Sequence, residues 1–275
     1  MELENRLVVI TGATSGIGAA FARHFSRERA RLVLCGRREA VLSQRDAEAR
    51  SLGAASVETI IGDLADEMVV QRILEVIETE EVAALVNNAG FGLYSPIADA
   101  DPEALRAMVR VQAEVPMRLA HAVTAGMRRR EAGLIINVGS LAGRVAVPGS
   151  ALYVSTKVYL ERLSETLALE LARHGIVVQA LTPGYVRTDF HRDIENYRAK
   201  RRNRGLIRWM DADRVVACSV NAALRAEKRL LRHRTAPRAR DVVVIPGLAN
   251  RVLAALAPFI PRTVVYRAAA SQKPM

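Results

Sequence analysis

Short apolar runs alternate along the chain with longer segments in which apolar residues recur every three or four positions. Near-continuous apolar runs are typical of strands buried on both faces of a parallel sheet, and the amphipathic segments are typical of the helices that connect such strands. Seven strands are predicted: Leu7 to Thr11, Arg31 to Cys35, Val57 to Ile61, Ala83 to Asn87, Leu134 to Val138, Ile176 to Thr182 and Val242 to Pro246. The alternation predicts an α/β fold, a three-layer doubly wound parallel sheet.

The amphipathic segments predict the helices. They are Ile17 to Arg27, Glu39 to Leu52, Glu67 to Glu78, Pro102 to Arg129, Leu152 to Arg173 and Ala212 to Arg225. Asp101 before Pro102 is typical of a helix start, because the carboxylate caps free N–H groups and proline fits the first turn. The chain has 275 residues, 50% of them hydrophobic, which is enough for a large core. We expect one domain over residues 1–246 and a C-terminal extension over 247–275.

The chain is strongly basic, with a formal net charge of +11. Its basic residues crowd between Arg187 and Arg240, and such a patch attracts nucleic acid, an anionic membrane surface or an acidic substrate carrier. No nucleic-acid motif accompanies the patch and aromatic residues make up only 4% of the chain, so we expect no nucleic-acid binding. The two cysteines form no CxxC pair, and the pattern predicts neither disulfides nor a metal site. Without a predicted signal sequence or membrane span, a cytoplasmic location is expected.

The first predicted strand runs directly into a glycine-rich turn, TGATSGIG. Gly12, Gly16 and Gly18 stand where the chain passes from strand to helix, and glycine permits both positive φ and close backbone approach. Ligands of open parallel sheets bind at the carboxyl ends of the strands, where helix N-termini attract a pyrophosphate. The turn therefore predicts a dinucleotide site, although similar turns also join strands to helices without a ligand.

The ends of the next three strands bear on the type of nucleotide. The second strand ends in CGRRE, and Arg37 and Arg38 suit a 2′-phosphate, whereas free ribose hydroxyls favour a carboxylate. NADP is therefore predicted over NAD, with solvation of a helix start as the alternative role of these arginines. Asp63 after the third strand suits either the adenine amino group or a helix cap. The small residues of NNAG, Asn87 to Gly90, let a cofactor lie against the backbone.

A tyrosine and a lysine four positions apart, in YVSTK, carry the candidate chemistry. On a helix, Tyr153 and Lys157 lie on one face about 5 to 6 Å apart. A phenol with a pKa of about 10 is a poor proton donor or acceptor at neutral pH, and a nearby cation lowers that pKa by favouring the phenolate. Ser140 lies upstream of this pair. Taken alone, the YxxxK pattern is also a common surface arrangement.

The order of these motifs along the chain resembles that of the short-chain dehydrogenase/reductase family. The motifs are TGATSGIG, Asp63, NNAG, Ser140, YVSTK and PGYVRT (Pro183 to Thr188). The resemblance covers roughly residues 6 to 250. It implies a Rossmann-like, NAD(P)-dependent oxidoreductase acting on C=O or CH–OH groups, here with NADPH/NADP+ as cofactor. It also implies that Tyr153 is the general acid or base, that Lys157 binds the nicotinamide ribose and lowers the Tyr153 pKa, and that Ser140 orients the carbonyl.

The family pattern further implies a set of cofactor-binding residues in this chain. By this pattern, the glycine turn contacts the pyrophosphate and the two arginines contact the 2′-phosphate. Residues after the third strand contact the adenine, those after the fourth strand contact the adenosine, and those after the sixth strand contact the carboxamide. The set is Gly12, Thr14, Ser15, Gly16, Ile17, Gly18, Arg37, Arg38, Asp63, Leu64, Asn88, Ala89, Gly90, Tyr153, Lys157, Pro183, Gly184, Val186 and Thr188.

One catalytic position departs from the family pattern. The family has an asparagine in the middle of the fourth helix, where it holds a water that links the lysine to solvent. Here the segment reads MVRVQAEVP, and the aligned residue is Gln112. The extra methylene moves the amide by about a bond length, more than a hydrogen bond tolerates. We expect a local helix bulge or a shifted water to keep the site active, with reduced dependence on this relay.

The family places a lid over the substrate in the segment that here spans residues 188–211. This segment is basic, with Phe190, Tyr197, Ile207 and Trp209 interspersed. An apolar substrate with an anionic handle would suit it, such as an acyl chain on coenzyme A or an acyl carrier protein; a solvated basic helix is the alternative. An apolar pocket is predicted from residues near the motif ends: Phe91, Leu93, Tyr94, Leu141, Val145 and Val147.

Beyond Pro246 the chain is longer than the family's minimal ending. A short apolar helix is predicted around Leu253, Leu256, Phe259 and Ile260, broken by Pro258 and Pro261. We expect it to pack over the active site, to contribute to an oligomer or to rest on a membrane surface, in that order.

Assembly and function each leave alternatives. The helices around Leu105 to Leu119 and Leu152 to Leu171 resemble those through which the family forms homodimers and homotetramers. A non-catalytic NADP-binding sensor or scaffold, and an NAD-linked enzyme that oxidises alcohols, are the alternative functions.

Overall fold

A seven-stranded parallel sheet forms the centre of the protein, seen in a computed structural model that describes residues 2–188, 190, 208–233 and 237–270. The strands are β1 (Leu7–Thr11), β2 (Arg31–Gly36), β3 (Ser56–Ile61), β4 (Val82–Asn87), β5 (Gly133–Val138), β6 (Ile176–Leu181) and β7 (Val243–Val244). Their order across the sheet is β3-β2-β1-β4-β5-β6-β7. The predicted three-layer, doubly wound, single-domain fold is confirmed.

Helices cover both faces of this sheet. They are α1 (Gly16–Arg27), α2 (Glu39–Ser51), α3 (Glu67–Thr79), α4 (Pro102–Val109), α5 (Val115–Arg130), α6 (Ala151–Leu171), α7 (Ala212–His233), α8 (Ala239–Val242), α9 (Leu248–Leu256) and α10 (Arg262–Ala270). One apolar cluster joins α1 and α7 to one face of the strands, and a second joins α3 and α5 to the other. Every residue of β1, β5 and β6 is buried, which explains their largely apolar sequences.

The predicted fourth helix is interrupted. A π-helical turn over Arg110–Glu114 separates α4 from α5, and the Val115 N–H bonds to the Arg110 carbonyl. Pro116 explains the position of the break, because it has no N–H to donate to the carbonyl of Gln112 four residues earlier. The expected helix bulge is therefore present. At the start of α4, the Asp101 carboxylate accepts from the Glu103 N–H, as the capping pattern predicts.

Apart from shifts of one or two residues at other element ends, three regions differ from the sequence predictions. The seventh strand is only two residues long, because the chain forms the one-turn helix α8 up to Val242. The helix that starts at Ala212 continues past Arg225 to His233. The C-terminal extension contains two helices, α9 and α10, joined by a 3-10 turn over Ala257–Phe259 that holds Pro258.

The strand order reverses between β1 and β4, because β2 and β3 lie on one side of β1 and β4 to β7 on the other. The loops after the two strands therefore diverge and leave a crevice at their carboxyl ends. The glycine-rich turn follows β1, and NNAG begins at the last residue of β4, so the fold brings these two motifs to the same crevice.

Candidate active site

The glycine-rich turn has the geometry that its sequence predicts. Gly12 and Gly16 have φ values of +66° and +59°, a region that favours glycine. A side chain at Gly18 is excluded because a Cβ there would lie 2.3 Å from the Gly12 carbonyl oxygen. The N-cap of α1, Ser15, makes no side-chain capping bond, and the first turn of α1 holds no acidic residue. The N–H groups of this helix start therefore suit a pyrophosphate.

Thr11 and Asn88 join the glycine turn to the end of β4. The Asn88 Nδ2 group donates to the carbonyl oxygens of Thr11 at 3.1 Å and of Gly12 at 3.0 Å. In return, the Thr11 Oγ1 atom accepts the backbone N–H groups of Asn88 and Ala89. These bonds hold the two motifs in one fixed arrangement. Thr11 was not among the predicted site residues, although it is the first letter of TGATSGIG.

The PGYVRT segment reaches the same crevice from β6. A Cβ added at Gly16 would lie 2.8 Å from Cγ2 of Thr188, so the threonine packs directly on the glycine turn. Val186 is buried and forms a parallel bridge with Met210. The Pro183 carbonyl accepts the Leu141 N–H, which ties this segment to the loop that carries Ser140. The structure thus brings together the pyrophosphate and carboxamide residues of the predicted set.

The two arginines after β2 contact groups of the predicted nucleotide site. The Arg37 guanidinium donates to Oδ2 of Asp63 at 3.1 Å, and the Arg38 guanidinium donates to Oγ1 of Thr14 at 3.0 Å. Asp63 also accepts the Ala65 N–H through Oδ1, whereas the N-cap of α3 is Asp66. Asp63 is therefore not the helix cap. The glycine cradle and the uncapped helix start together fit the pyrophosphate of a dinucleotide, and the Arg38 guanidinium lies beside them.

Tyr153 and Lys157 lie on one face of α6, as the spacing predicts. The Lys157 Nζ atom is 5.6 Å from the centroid of the Tyr153 ring and donates to the Val138 carbonyl at 3.0 Å. The Ser140 hydroxyl shares a hydrogen bond with the Tyr153 phenol. Ser140 also accepts the Ala142 N–H at 3.1 Å, which starts a 3-10 turn directly after β5. Serine, tyrosine and lysine therefore form one cluster, in which Tyr153 and Lys157 are buried and Ser140 is half-buried.

Burial determines the pKa of both ionisable groups in this cluster. Desolvation raises the pKa of the Tyr153 phenol, and the hydrogen bond from Ser140 opposes that change. Desolvation also lowers the pKa of the Lys157 ammonium to about 8. The expectation of a lowered Tyr153 pKa is therefore wrong for this arrangement, because removing the phenolate from water outweighs the stabilisation that its neighbours offer. At neutral pH the phenol carries its proton.

Gln112 lies in the π-helical turn and is fully buried. Its Nε2 group donates to the Phe91 carbonyl at 2.9 Å, while Oε1 has no hydrogen-bond partner within the described part of the chain. A Cβ at Gly90 would lie 2.9 Å from that Oε1 atom. The longer side chain thus reaches the end of NNAG and supports the loop after β4.

One aromatic side chain packs beside the Tyr153 ring, and the predicted pocket residues lie in the loops that follow β4 and β5. The Phe190 ring lies 5.7 Å from the Tyr153 ring between centroids. The predicted pocket residues Phe91, Leu93, Tyr94, Leu141 and Val147 are half-buried, and Val145 is exposed. The Ser95 N–H donates to the Gly149 carbonyl and so joins the two loops that carry these residues. These loops form an apolar rim.

Only the ends of the predicted lid fall in the described structure. Trp209 is buried and packs against Tyr185, with 4.9 Å between ring centroids. Tyr197 and Ile207 lie outside the described residues.

In the parts of the chain that are described, no cluster of His, Cys, Asp and Glu could hold a metal ion. Over the same parts, no helix is long and apolar enough to cross a membrane.

Asn250 is a second residue that sequence reasoning missed. It is buried in α9, and its Nδ2 group donates to the Pro246 carbonyl at 2.8 Å. A Cβ at Gly184 would lie 2.7 Å from its Oδ1 atom, so Asn250 packs on the PGYVRT segment. An asparagine in an apolar helix pattern gives no signal of this contact, because the contact depends on the chain returning to β6.

Comparison with known proteins agrees with this geometry. The family model for short chain dehydrogenases matches residues 6–199, which is more than half of the chain. The chain belongs to the short-chain dehydrogenase/reductase family. It is therefore an NAD(P)-dependent oxidoreductase that acts on CH–OH groups.

Two curated relatives illustrate the similarity. An uncharacterized oxidoreductase of Staphylococcus saprophyticus is 32% identical over 197 residues, 71% of this chain and 84% of that protein. A very-long-chain 3-oxoacyl-CoA reductase of Laccaria bicolor is 32% identical over 182 residues, 65% of this chain and 54% of that protein. The chain thus matches only about half of the second relative.

A solved member of the short-chain dehydrogenase/reductase family matches nearly the whole fold. It is a short-chain dehydrogenase from Sphingobium yanoikuyae in complex with NADPH, 28% identical, with a TM-score of 0.75. The match covers 98% of this chain and 96% of that one.

Proposed function

We propose that this protein is an NADPH-dependent carbonyl reductase that acts on a hydrophobic ketone or acyl thioester and uses Tyr153 as its general acid. The observation that carries this proposal is the cluster of Ser140, Tyr153 and Lys157, in which the serine bonds the buried phenol and the buried ammonium lies 5.6 Å from the centroid of the phenol ring. A scaffold or sensor function would not require these three groups to meet.

Each residue of the cluster has a separate role in the reduction. NADPH, when bound, supplies a hydride to the carbonyl carbon. The Tyr153 phenol gives its proton to the carbonyl oxygen, so that the C=O group, the hydride and the proton together become a CH–OH group. Ser140 donates a hydrogen bond to the same oxygen and stabilises the negative charge that develops there. The raised Tyr153 pKa keeps the proton on the phenol until this charge appears.

Lys157 stabilises the phenolate that remains after the transfer. Its pKa of about 8 leaves the ammonium mostly protonated at neutral pH. A cation within 6 Å of the ring favours the anionic phenolate, and the effect is strong because both groups are buried. The same groups serve the reverse oxidation, so the direction depends on the ratio of reduced to oxidised cofactor.

We infer that NADP is preferred because two guanidinium groups follow β2. Arg37 would meet the 2′-phosphate, and Arg38, which bonds Thr14 in the glycine turn, would support it. The Arg37–Asp63 pair also places a carboxylate beside the proposed adenine site. The NADPH complex of the Sphingobium relative is consistent with this preference.

The apolar rim favours a substrate with an apolar body, and the basic segment 188–211 favours an anionic group on that substrate. Phe190 packs beside the Tyr153 ring, and five further apolar or aromatic rim residues are half-buried. The basic residues of 188–211 would bind an anionic handle, such as coenzyme A or an acyl carrier protein. The similarity to a very-long-chain 3-oxoacyl-CoA reductase supports an acyl thioester. We propose residues 1–246 as the catalytic domain, acting as a homodimer or homotetramer in the cytoplasm.

Replacing the phenol oxygen tests the assignment of Tyr153. We expect Tyr153→Phe to lower kcat for NADPH-dependent ketone reduction by at least about a hundredfold, because general acid catalysis contributes that much. Tyr159→Phe is the matched control, since Tyr159 is exposed on the same helix. NADPH affinity, measured by fluorescence, should stay within a few-fold in both variants. Comparable turnover in the two variants would contradict the proposed role.

Replacing Arg37 tests the cofactor preference separately. Arg37→Ser should weaken NADPH binding by about tenfold or more and leave NADH binding nearly unchanged, because only NADPH carries the 2′-phosphate. Arg128→Ser, at the exposed C-terminal end of α5, is the control for net charge. Equal loss of affinity for the two nucleotides would exclude this role. A screen of ketones, aldehydes, acyl thioesters and steroids for NADPH oxidation would then identify the substrate class.

A further inference from the structure

The C-terminal extension exposes a concentration of large apolar side chains. Phe259 is 83% exposed, Leu248 72% and Leu256 52%, and Ile260, Val264 and Tyr266 also face solvent. We call these six residues the C-terminal apolar face. They lie between Leu248 and Tyr266, in α9, the 3-10 turn, the residue that follows this turn and α10, whereas most other exposed apolar residues are scattered singly along the chain. A concentrated exposed apolar group marks an interaction surface.

The inner side of α9 is fixed to the catalytic part of the protein. Asn250 and Ala254 are buried, and Asn250 packs on Gly184 and bonds to the Pro246 carbonyl. The helix also packs against the 3-10 turn that follows Ser140. The inner side of α9 thus packs on segments next to the serine, tyrosine and lysine cluster, and packing over the active site itself stays a prediction. The exposed side of α9 carries two residues of the C-terminal apolar face, Leu248 and Leu256.

The charge of the C-terminal extension indicates what kind of partner binds there. Residues 247–275 include four cationic residues, Arg251, Arg262, Arg267 and Lys273, and no Asp or Glu. Arg251 and Arg267 are exposed within the same two helices as the apolar face. A second copy of this chain would bring another cation-only segment against the first, and the whole chain carries +11. An anionic surface instead complements both the charge and the apolar side chains.

We propose that the C-terminal apolar face docks on the surface of an anionic phospholipid bilayer. Phe259, Ile260 and Leu256 enter the boundary between headgroups and acyl chains, and the arginines contact the lipid phosphates. Tyr266 suits the same depth, because amphipathic rings concentrate at the membrane interface. Pro258 and Pro261 interrupt the helical run around Phe259 and Ile260, so the chain turns there.

Docking in this way would place the bilayer beside the substrate entrance. The helix that carries Leu248 and Leu256 packs against the 3-10 turn over Leu141–Arg144, which is part of the apolar rim. An apolar substrate dissolved in the membrane would then have a short path to Tyr153. This consequence rests on the proposed reductase function, whereas docking itself does not.

Vesicle sedimentation tests the docking without cofactor or substrate. The full chain is mixed with vesicles of phosphatidylcholine alone or with about one third phosphatidylserine. We expect sedimentation with the anionic vesicles and little with the neutral ones. Phe259→Ser combined with Ile260→Ser should reduce the partition coefficient by at least about tenfold, since each buried CH₂ contributes to membrane affinity. Met68→Ser combined with Leu169→Ser is the control, because these side chains are 70% and 65% exposed on other helices.

Three results would overturn the proposal. The first is that the protein does not sediment with anionic vesicles. The second is that the Phe259 and Ile260 double variant sediments with them as much as wild type does. The third is a lower oligomeric mass for that variant in light scattering, which would assign the face to a contact with a second copy of the chain. Circular dichroism of the double variant verifies that it is folded. Its reduction of a soluble ketone should match wild type, so a failure of docking is distinguishable from a failure of the reductase assignment.

Discussion

Replacing Lys157 by methionine should change how the stability of the protein depends on pH. Lys157 is fully enclosed beside Tyr153, and burial lowers the pKa of its ammonium from 10.5 to about 8. In the unfolded chain the amine keeps its usual pKa. Between these two pKa values the unfolded state binds more protons than the folded state, so the free energy of unfolding rises with pH. Methionine has similar length and no charge, and it removes this dependence.

The size of the effect follows from the two pKa values. At about 1.4 kcal/mol per pH unit, the buried ammonium costs about 3 kcal/mol at pH 7, and by about pH 9.5 roughly 2 kcal/mol of that cost is relieved. Methionine also loses the hydrogen bond to the Val138 carbonyl, which costs about 1 to 3 kcal/mol independently of pH. Lys157→Met should therefore be about as stable as wild type or slightly more stable at pH 7, and lose about 2 kcal/mol relative to wild type by pH 9.5.

Urea unfolding followed by circular dichroism at several pH values between 7 and 9.5 measures this difference. Burial also raises the pKa of Tyr153 and raises that of Cys35 to about 12, and both groups reduce stability at high pH. Because wild type and variant share them, the comparison is made as a difference between the two proteins. Lys228→Met, on the exposed side of α7, should run parallel to wild type. If Lys157→Met also runs parallel to wild type, the ammonium is not desolvated and the reasoning fails.

Two further variants test the geometry of the site. Gly18→Ala should weaken NADPH binding by about tenfold or more and cost about 1 to 3 kcal/mol of stability, because its Cβ would meet the Gly12 carbonyl at 2.3 Å. Fluorescence titration and urea unfolding measure both effects, and Gly126→Ala is the control because its nearest neighbour is a flexible arginine end. Gln112→Asn should raise KM through loss of the bond to the Phe91 carbonyl. An unchanged KM, kcat and pH profile would mean that this bond does not influence turnover.

The sheet was predictable because the buried strands have few polar residues and sharp boundaries. The π-helical turn was expected only as a bulge, yet its cause is visible in the sequence, since Pro116 follows Gln112 by four residues. The direction of the Tyr153 pKa was not predictable, because a spacing of four residues reports proximity but not burial. The contacts of Phe190 and Asn250 depend on distant segments meeting, which no local pattern encodes.

The contact between Gly16 and Thr188 has a consequence for how the protein acquires its function during synthesis. The glycine turn precedes β4 and β6 in the chain and leaves the ribosome before them, but the residues that pack on it come from the end of β4 and from the segment after β6. Such long-range contacts form only after much of the intervening chain is in place, and they slow folding. The nucleotide crevice is therefore completed late, and a nascent chain that stops before β6 lacks one of its walls.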